Sequence, residues 1–214
     1  MAAYRRRTIG LASALSALAG YIDAIGFISL GGFFVSFMTG NTTRFGVEIA
    51  RIDPTGIAIA GGLLAAFVGG VVIGALVAKA AGRWRRVAVL GWVTLCLASA
   101  AALESVGNQP ASTAALVLAM AASNCVFQRN GEVTIGVTYM TGTLVKMGQQ
   151  IANALTGGPR WVWLRNFTLW LGLALGSVAG ALAYGAFGSA AIWLSAGFCA
   201  VLALGSLSLP HEID

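Results

Sequence analysis

The sequence predicts an all-α protein that crosses a membrane several times, on three grounds: its composition, a series of apolar runs near spanning length, and an internal repeat. Hydrophobic residues make up 58% of the 214 positions and charged residues only 9%. Such a chain lacks the polar surface to coat a soluble globule, while several of its runs can cross about 30 Å of hydrocarbon. No connection is long enough to hold a second domain, so residues 1–214 are expected to form a single integral membrane domain.

Apolar segments lie near residues 8–30, 33–50, 55–81, 87–104, 110–128, 133–155, 162–186 and 189–208. The first follows Arg5-Arg6-Arg7 and contains Ala17-Leu18-Ala19, the outline of a secretory signal; because further runs follow and the repeat uses its residues, it reads as a retained helix. The second and sixth carry Met38-Thr39-Gly40 and Met140-Thr141-Gly142, polar interruptions of otherwise apolar stretches. The third carries Gly70 and Gly74, and the seventh Gly172, Gly176 and Gly180. Four-residue spacing puts these small residues on one helix face and favours close helix contact, within the fold or between protomers of a homodimer. The fourth is entered from Arg83-Trp84-Arg85-Arg86, the fifth from Gly107-Asn108-Gln109-Pro110 and the seventh from Gly157-Gly158-Pro159-Arg160, all turn-forming or charged connections. Trp84, Trp161 and Trp163 border membrane runs and read as interface anchors.

Charge placement constrains the threading. If all eight segments crossed fully, Arg83 to Arg86 and Arg129 would lie opposite the N-terminal arginines, against the positive-inside bias. If the second and sixth segments enter and return, or cross as interrupted half-helices, the N-terminal arginines, the Arg83 cluster, Arg129, Arg160 and Arg165 all become cytoplasmic. Arg44 and Arg51 then remain outside. The expected architecture is about six full transmembrane helices plus two broken or re-entrant segments, in halves inverted relative to each other. Residues 33–50 would nonetheless make about 27 Å of continuous helix, nearly a span, which keeps seven or eight crossings open.

The repeat halves are approximately 8–106 and 110–208. Their Met-Thr-Gly cores stand 102 positions apart, and the same offset superposes Arg44 on Lys146, Gly46 on Gly148, Glu48 on Gln150 and Ile49-Ala50 on Ile151-Ala152. A one-residue adjustment upstream sets Asp23 on Asn124. Downstream, Gly70-x-x-x-Gly74-Ala75-Leu76 resembles Gly176-x-x-x-Gly180-Ala181-Leu182. A chance match of one tripeptide would mean little; polar, cationic and glycine positions matching in order are more telling and lead us to expect an internal repeat.

The breaks are the candidate site. Hydrocarbon cannot satisfy backbone groups freed by a helix break, so such breaks line protein or a polar cavity. Gly40 and Gly142 are the expected break points, with Asn41 or Thr42, and Thr143, capping the half-helices that follow. Two such N-terminal ends suit an anion or carboxylate, and the preceding carbonyl ends suit a cation. Thr39, Asn41, Thr141 and Thr143 are expected to line the site, with Asn124 donating hydrogen bonds. The alternative is that threonine and glycine merely let helices pack closely.

Asp23 lies within an apolar helix, where a charge normally has a partner or faces water. It reads as a proton or cation coupling group, a member of an ion pair, or a cap beside Gly31-Gly32. Arg44 and Glu48 are four apart and can pair on one face, whereas Lys146 and Gln150 keep the cation and lose the acid. Lys146 is thus a candidate partner for Asp23 or for an anionic solute; equally, Arg44 and Lys146 can snorkel to opposite headgroup layers.

Other function classes fit poorly. Cys96, Cys125 and Cys199 sit in apolar runs without ligand spacing, and the one histidine, His211, is in the tail, so neither a metal site nor a positioned hydrolytic base is expected. Asp53 and Asp214 lie in a loop and at the terminus, which removes an intramembrane aspartyl dyad. No cofactor motif is present. A net charge of +6 could suggest nucleic acid, but the basic residues flank hydrophobic runs in small groups, the topology signal of a bacterial inner membrane protein with a cytoplasmic N-terminus. The partners implied are the lipid bilayer and a small-molecule solute. The function favoured is movement of a small polar or anionic solute, and the rival is a non-transporting membrane scaffold or partner subunit.

Gly20-Tyr21-Ile22-Asp23-Ala24 followed by Gly32-x-Phe34-Val35-x-x-Met38-Thr39-Gly40-Asn41 resembles the YoaK family, bacterial membrane proteins of unknown function. Thr141-Gly142-Thr143 and Asn124 are similar to the same family, so the resemblance spans nearly the whole chain. It departs at Ser123, where the family pattern tends to place glutamine, and at Arg44, where an apolar residue is commoner. The resemblance implies an integral membrane protein and leaves the chemistry open.

Overall fold

A computed structural model describes residues 6–129 and 132–207. Arg5, His211 and Asp214 lie outside the described residues. Eight α-helices follow in order: α1 (Arg6–Ser29), α2 (Met38–Arg51), α3 (Pro54–Ala81), α4 (Arg85–Ser105), α5 (Gln109–Ser123), α6 (Met140–Leu155), α7 (Leu164–Phe187) and α8 (Ala191–Ser206). Between α5 and α6, β1 (Gln128–Arg129) pairs antiparallel with β2 (Glu132–Val133) in a minimal hairpin.

The helix boundaries follow local chemistry. Asp53 caps α3 by accepting from the Thr55 N–H at 3.0 Å, and Pro54 fills the first position, where its missing N–H costs nothing. Asn108 caps α5 in the same way, accepting from Ala111 N–H at 3.3 Å. At their far ends α3 and α7 both stop at a glycine with positive φ, Gly82 at 51° and Gly188 at 58°, each opening a single 3₁₀ turn into the next helix. Three helical stretches, 7–29, 54–105 and 164–206, are long and apolar enough to cross a membrane; the latter two are the α3–α4 and α7–α8 pairs bent at those turns. The protein is an all-helical, polytopic membrane protein.

Glycine contacts set the helix packing. Atoms added at Gly172, Gly176 and Gly180 of α7 would collide with the backbone of Ser13, Ala17 and Tyr21 of α1. Both series ascend together, so α1 and α7 run parallel at near-contact distance. Gly70 and Gly74 of α3 meet Leu118, Ala121 and Ala122 of α5 in the same sense. Close backbone approach suits a bilayer, where apolar area alone gives helices no reason to leave lipid. Leu15, Leu18, Ile22, Leu90, Leu97, Val117 and Met120 fill the centre, while Val68, Leu76, Leu95, Leu175 and Leu182 remain exposed as the lipid-facing belt.

The packed pairs obey an exchange rule. Replacing α1 by α5, α2 by α6, α3 by α7 and α4 by α8 converts α1–α7 into α5–α3, α2–α3 into α6–α7, α4–α5 into α8–α1, and α3–α4 into α7–α8; each of these pairs is in contact.

The second, fifth and sixth segments are shorter than the apolar runs suggested. Helix α2 begins at Met38 rather than near 33, α5 ends at Ser123 rather than near 128, and α6 begins at Met140 rather than near 133. Gly31 and Gly32, with φ of 64° and 91°, stop α1, and the stretch after it bonds to the Asp23 and Asn41 side chains; after α5 the chain continues in i→i−3 backbone bonds as far as Val126 before Phe127 pairs with Thr134. Gly40 and Gly142 are therefore not the break points. Both sit in the first turn of a helix, and the breaks lie upstream of them.

Candidate functional site

Each short helix is the return limb of a hairpin. After α1 the chain doubles back: Gly32 N–H bonds to the Phe27 carbonyl at 2.8 Å, and by Ser36 it is level with Asp23. The Asp23 carboxylate accepts from the N–H groups of Val35 and Ser36, at 2.8 and 2.6 Å, and from the Ser36 hydroxyl at 2.6 Å. Helix α2 then climbs back along the strand-like limb. Asn41 exchanges two bonds with the Phe34 backbone, 2.9 Å to its Oδ1 and 2.7 Å from its Nδ2, and Arg44 Nη1 reaches the Gly32 carbonyl at 2.6 Å. Asn41 thus pairs with Phe34 as a neighbouring strand would. It does not cap α2, whose N-cap position is Phe37 without a side-chain bond, and Thr42 bonds back to the Met38 carbonyl.

The second hairpin repeats this plan with different groups. The Phe127 carbonyl accepts from both the N–H and hydroxyl of Thr134, and the Thr138 hydroxyl donates to Asn124 Oδ1 at 3.1 Å, in the place of the Ser36 bond to Asp23. Asn124 is therefore an acceptor here, and its Nδ2 is used on the Met120 carbonyl. The turns leading into α2 and α6 coincide. Met38 N–H bonds to Ser36 and Met140 N–H to Thr138, both at 3.0 Å, with Phe37 and Tyr139 at φ −85° and −87°.

Both hairpin tips rest on α1. Asp23 holds the first, and the Ser16 hydroxyl donates to the Val137 carbonyl of the second at 3.1 Å. Seven residues separate Ser16 from Asp23, which places them on the same face, about 10 Å apart along the axis. Gln109, at the start of α5, reaches the Ser29 carbonyl at the end of α1, so these two helices run in opposite senses and their hairpins approach from opposite ends. Val35 and Val137 at the tips and Ala19 of α1 are fully buried. The interior between the tips is packed with apolar side chains.

A polar cleft of about 170 Å³ opens at the second hairpin. Thr134, Tyr139, Gly142, Thr143, Lys146, Arg165 and Asn166 line it, closed on one side by Ile9 and Ala12 of α1. The Thr143 hydroxyl donates to the Tyr139 carbonyl at 3.2 Å, and Asn166 Nδ2 donates to Gln150 Oε1 at 2.8 Å. Lys146 and Arg165 give the cleft two cationic donors.

The two halves treat the equivalent cation differently. Arg44 stacks over the Phe33 ring, 4.1 Å from its centroid, and lies 3.9 Å from Glu48. Glu48 is buried and also 3.7 Å from Arg51. In the second half Gln150 carries no charge and bonds to Asn166, so Lys146 has no acid at the place of Glu48.

The sequence-derived site residues divide accordingly. Thr143, Gly142 and Lys146 come together in the cleft. Asp23 and Asn41 are bound to the first hairpin's own backbone, Asn124 to the second hairpin, and Thr39 and Thr141 stand exposed on the opening turns of α2 and α6. Lys146 does not meet Asp23, because its cleft adjoins residues 9 and 12 of α1, more than two turns away. Sequence reasoning missed Ser16, Ser36, Thr138, Arg165 and Asn166. The signal for Ser36 and Thr138 was present: Val35-Ser36-Phe37 and Val137-Thr138-Tyr139 extend the Met-Thr-Gly match upstream at the same offset.

Comparison with known proteins places this geometry in a lineage. Residues 11–205 match the family described as "Protein of unknown function (DUF1275)". The chain is 34% identical over 210 residues to a UPF0700 transmembrane protein of Rhizobium meliloti (strain 1021), covering 97% of this chain and 91% of that one. No solved structure matches. A family match over nearly all of the chain, within which the YoaK-like motifs fall, makes this protein a transmembrane member of the DUF1275 family.

Proposed function

We propose that the protein moves a small anionic solute across a bacterial inner membrane, using the Lys146 cleft as its binding site. The two hairpins act as inverted re-entrant segments of a repeat fold, with six full crossings and a cytoplasmic N-terminus. Three observations support that threading: the exchange rule among helix pairs, the coincident turns into α2 and α6, and the opposite senses of α1 and α5. It also puts Arg83 to Arg86, Lys146, Arg160 and Arg165 on one side.

The observation that carries the reading is the difference between the matched cations Arg44 and Lys146. Position for position, Arg44 is neutralised by Glu48, whereas Lys146 faces a polar cleft with Arg165 and no acid at the matching position. A lysine that lines a polar cleft without an acid at the matching position suits an anion or water. The cleft adjoins Ile9 and Ala12 near the start of α1, while Val35 and Val137 at the hairpin tips are buried. The role is permeation rather than catalysis.

Purified protein in liposomes tests this. Small monocarboxylates and inorganic anions, supplied as labelled tracers, are expected to show protein-dependent exchange that falls at least about tenfold in Lys146→Gln, a loss of roughly 1.4 kcal/mol in binding or passage. A folded wild-type protein with no flux for any of these anions would overturn the proposal.

The scaffold reading draws on one observation of its own. Asp23 and Asn41 are consumed in holding the first hairpin, which a packing device would also require. Absent flux together with an intact fold would favour it.

A further inference from the structure

The Lys146 cleft has two unlike walls. Helix α6 supplies the polar one: Gly142, Thr143 and Lys146 share a face, and the Lys146 side chain is exposed. Ile9 and Ala12 of α1, Leu169 of α7 and Ile135 of the second hairpin supply the apolar one. Ala12 is fully buried, and Leu169 and Ile135 nearly so. The register of α1 against α7 explains why these side chains meet. Gly172 contacts Ser13, Gly176 contacts Ala17 and Gly180 contacts Tyr21, and the same register carried back sets Leu169 level with Gly10, between Ile9 and Ala12.

Charge, polarity and volume together narrow the ligand. Arg165 also lines the cleft but is engaged within the chain, so a ligand meets at most the single charge of Lys146. That suits a monoanion and leaves a dianion with one charge unmatched. The side chains of the opposite wall give a hydrated inorganic ion no hydrogen bond, whereas each methylene that covers them adds about fourfold in affinity. A cleft of about 170 Å³ holds about five or six waters of about 30 Å³ each, the size of an unbranched monocarboxylate of about four carbons.

We propose that this cleft selects a short-chain aliphatic monocarboxylate, with its carboxylate at Lys146 and its hydrocarbon tail against Ala12 and Leu169. The assignment rests on the proposal that the Lys146 cleft is the solute site, and it adds a charge limit and a chain-length limit to that proposal. Inorganic anions have no tail for the apolar wall, and dicarboxylates place a second charge against it.

Equilibrium dialysis of the purified full chain in detergent, with labelled acetate, propionate, butyrate, hexanoate, succinate and nitrate, tests the assignment against detergent alone. Affinity is expected to rise about fourfold per carbon from acetate to butyrate and to stop rising at hexanoate, with nitrate and succinate at least about tenfold weaker than butyrate. Leu169→Ala enlarges the cleft and should move the optimum to hexanoate. Ala12→Val narrows it and should weaken butyrate by about fourfold or more while sparing acetate. These variants act in opposite senses, so the test survives if one of them fails to fold. Lys146→Gln should weaken every acid at least about tenfold. Nitrate or succinate binding as tightly as butyrate, and lost in Lys146→Gln, would overturn the short-chain assignment and leave the anion site standing. Affinity that keeps rising through hexanoate and ignores Ala12→Val would overturn it equally. If no anion binds in a Lys146-dependent manner, the assignment and the site fall together.

Discussion

Ser16 and Asp23 occupy one face of α1, and each holds the tip of a different hairpin: Ser16 through the Val137 carbonyl, Asp23 through the N–H groups of Val35 and Ser36. One helix therefore fixes the relative height of both breaks. Because α1 also lies against α7 through glycine contacts, a shift of α1 along α7 would carry both tips with it.

Asp23 is expected to matter for stability. Asp23→Ala removes the acceptor for three donors, and buried donors left without partners cost about 1–3 kcal/mol each. Asp23→Asn keeps one carbonyl acceptor and should retain part of that. Thermal unfolding in detergent should rank wild type above Asn above Ala; an alanine variant as stable as wild type would contradict the bonded hairpin.

Asn41→Leu should behave as a folding variant. It deletes the two-way pairing with Phe34, and a loss of about 1–3 kcal/mol is expected. Asn41→Asp, which keeps the acceptor and loses the donor, should fall between. Limited proteolysis across residues 30–37 reads the same effect, and unchanged cleavage in the leucine variant would argue against it.

Glycine positions should separate cleanly by contact. Gly176→Val drives a side chain into the Ala17 backbone and should cost about 1–3 kcal/mol or more, the range for overpacking. Gly148 in α6 meets nothing within 4 Å, so Gly148→Ala should be neutral or stabilise by up to about 1 kcal/mol through helix propensity. Unfolding of both variants in one detergent provides the comparison.

The inverted threading predicts opposite sidedness for the two matched helices. Arg51→Cys and Lys146→Cys, both at exposed positions, should react with a membrane-impermeant maleimide from opposite faces of oriented vesicles. Background is expected to be low because Cys96, Cys125 and Cys199 are all buried. Labelling of both from the same face would exclude inversion.

Much of this was legible from residues alone. Eight apolar runs gave eight helices, the glycine series gave close helix contacts, and the Gly107-Asn108-Gln109-Pro110 connection leads into α5 as expected. The misplacement of the breaks has a specific cause. Gly40 and Gly142 look like helix breakers in an apolar run, yet the backbone is diverted earlier, where Asp23 and Asn41 in the first hairpin and Thr134 in the second bond to backbone groups distant in sequence. A local pattern carries no information about such partners.

Composition and periodicity by themselves determined a helical membrane protein, because hydrocarbon admits few other solutions for backbone polar groups. Only the tertiary structure decided which polar residues are spent inside the fold and which face a cleft. Asp23, Asn41 and Arg44 read as site residues in sequence but meet backbone or an acid in three dimensions, whereas Lys146, the cation in the place matching Arg44, lines a cleft. Whether a side chain is satisfied depends on the full set of neighbours that packing brings to it, and those neighbours come from helices far apart in the chain.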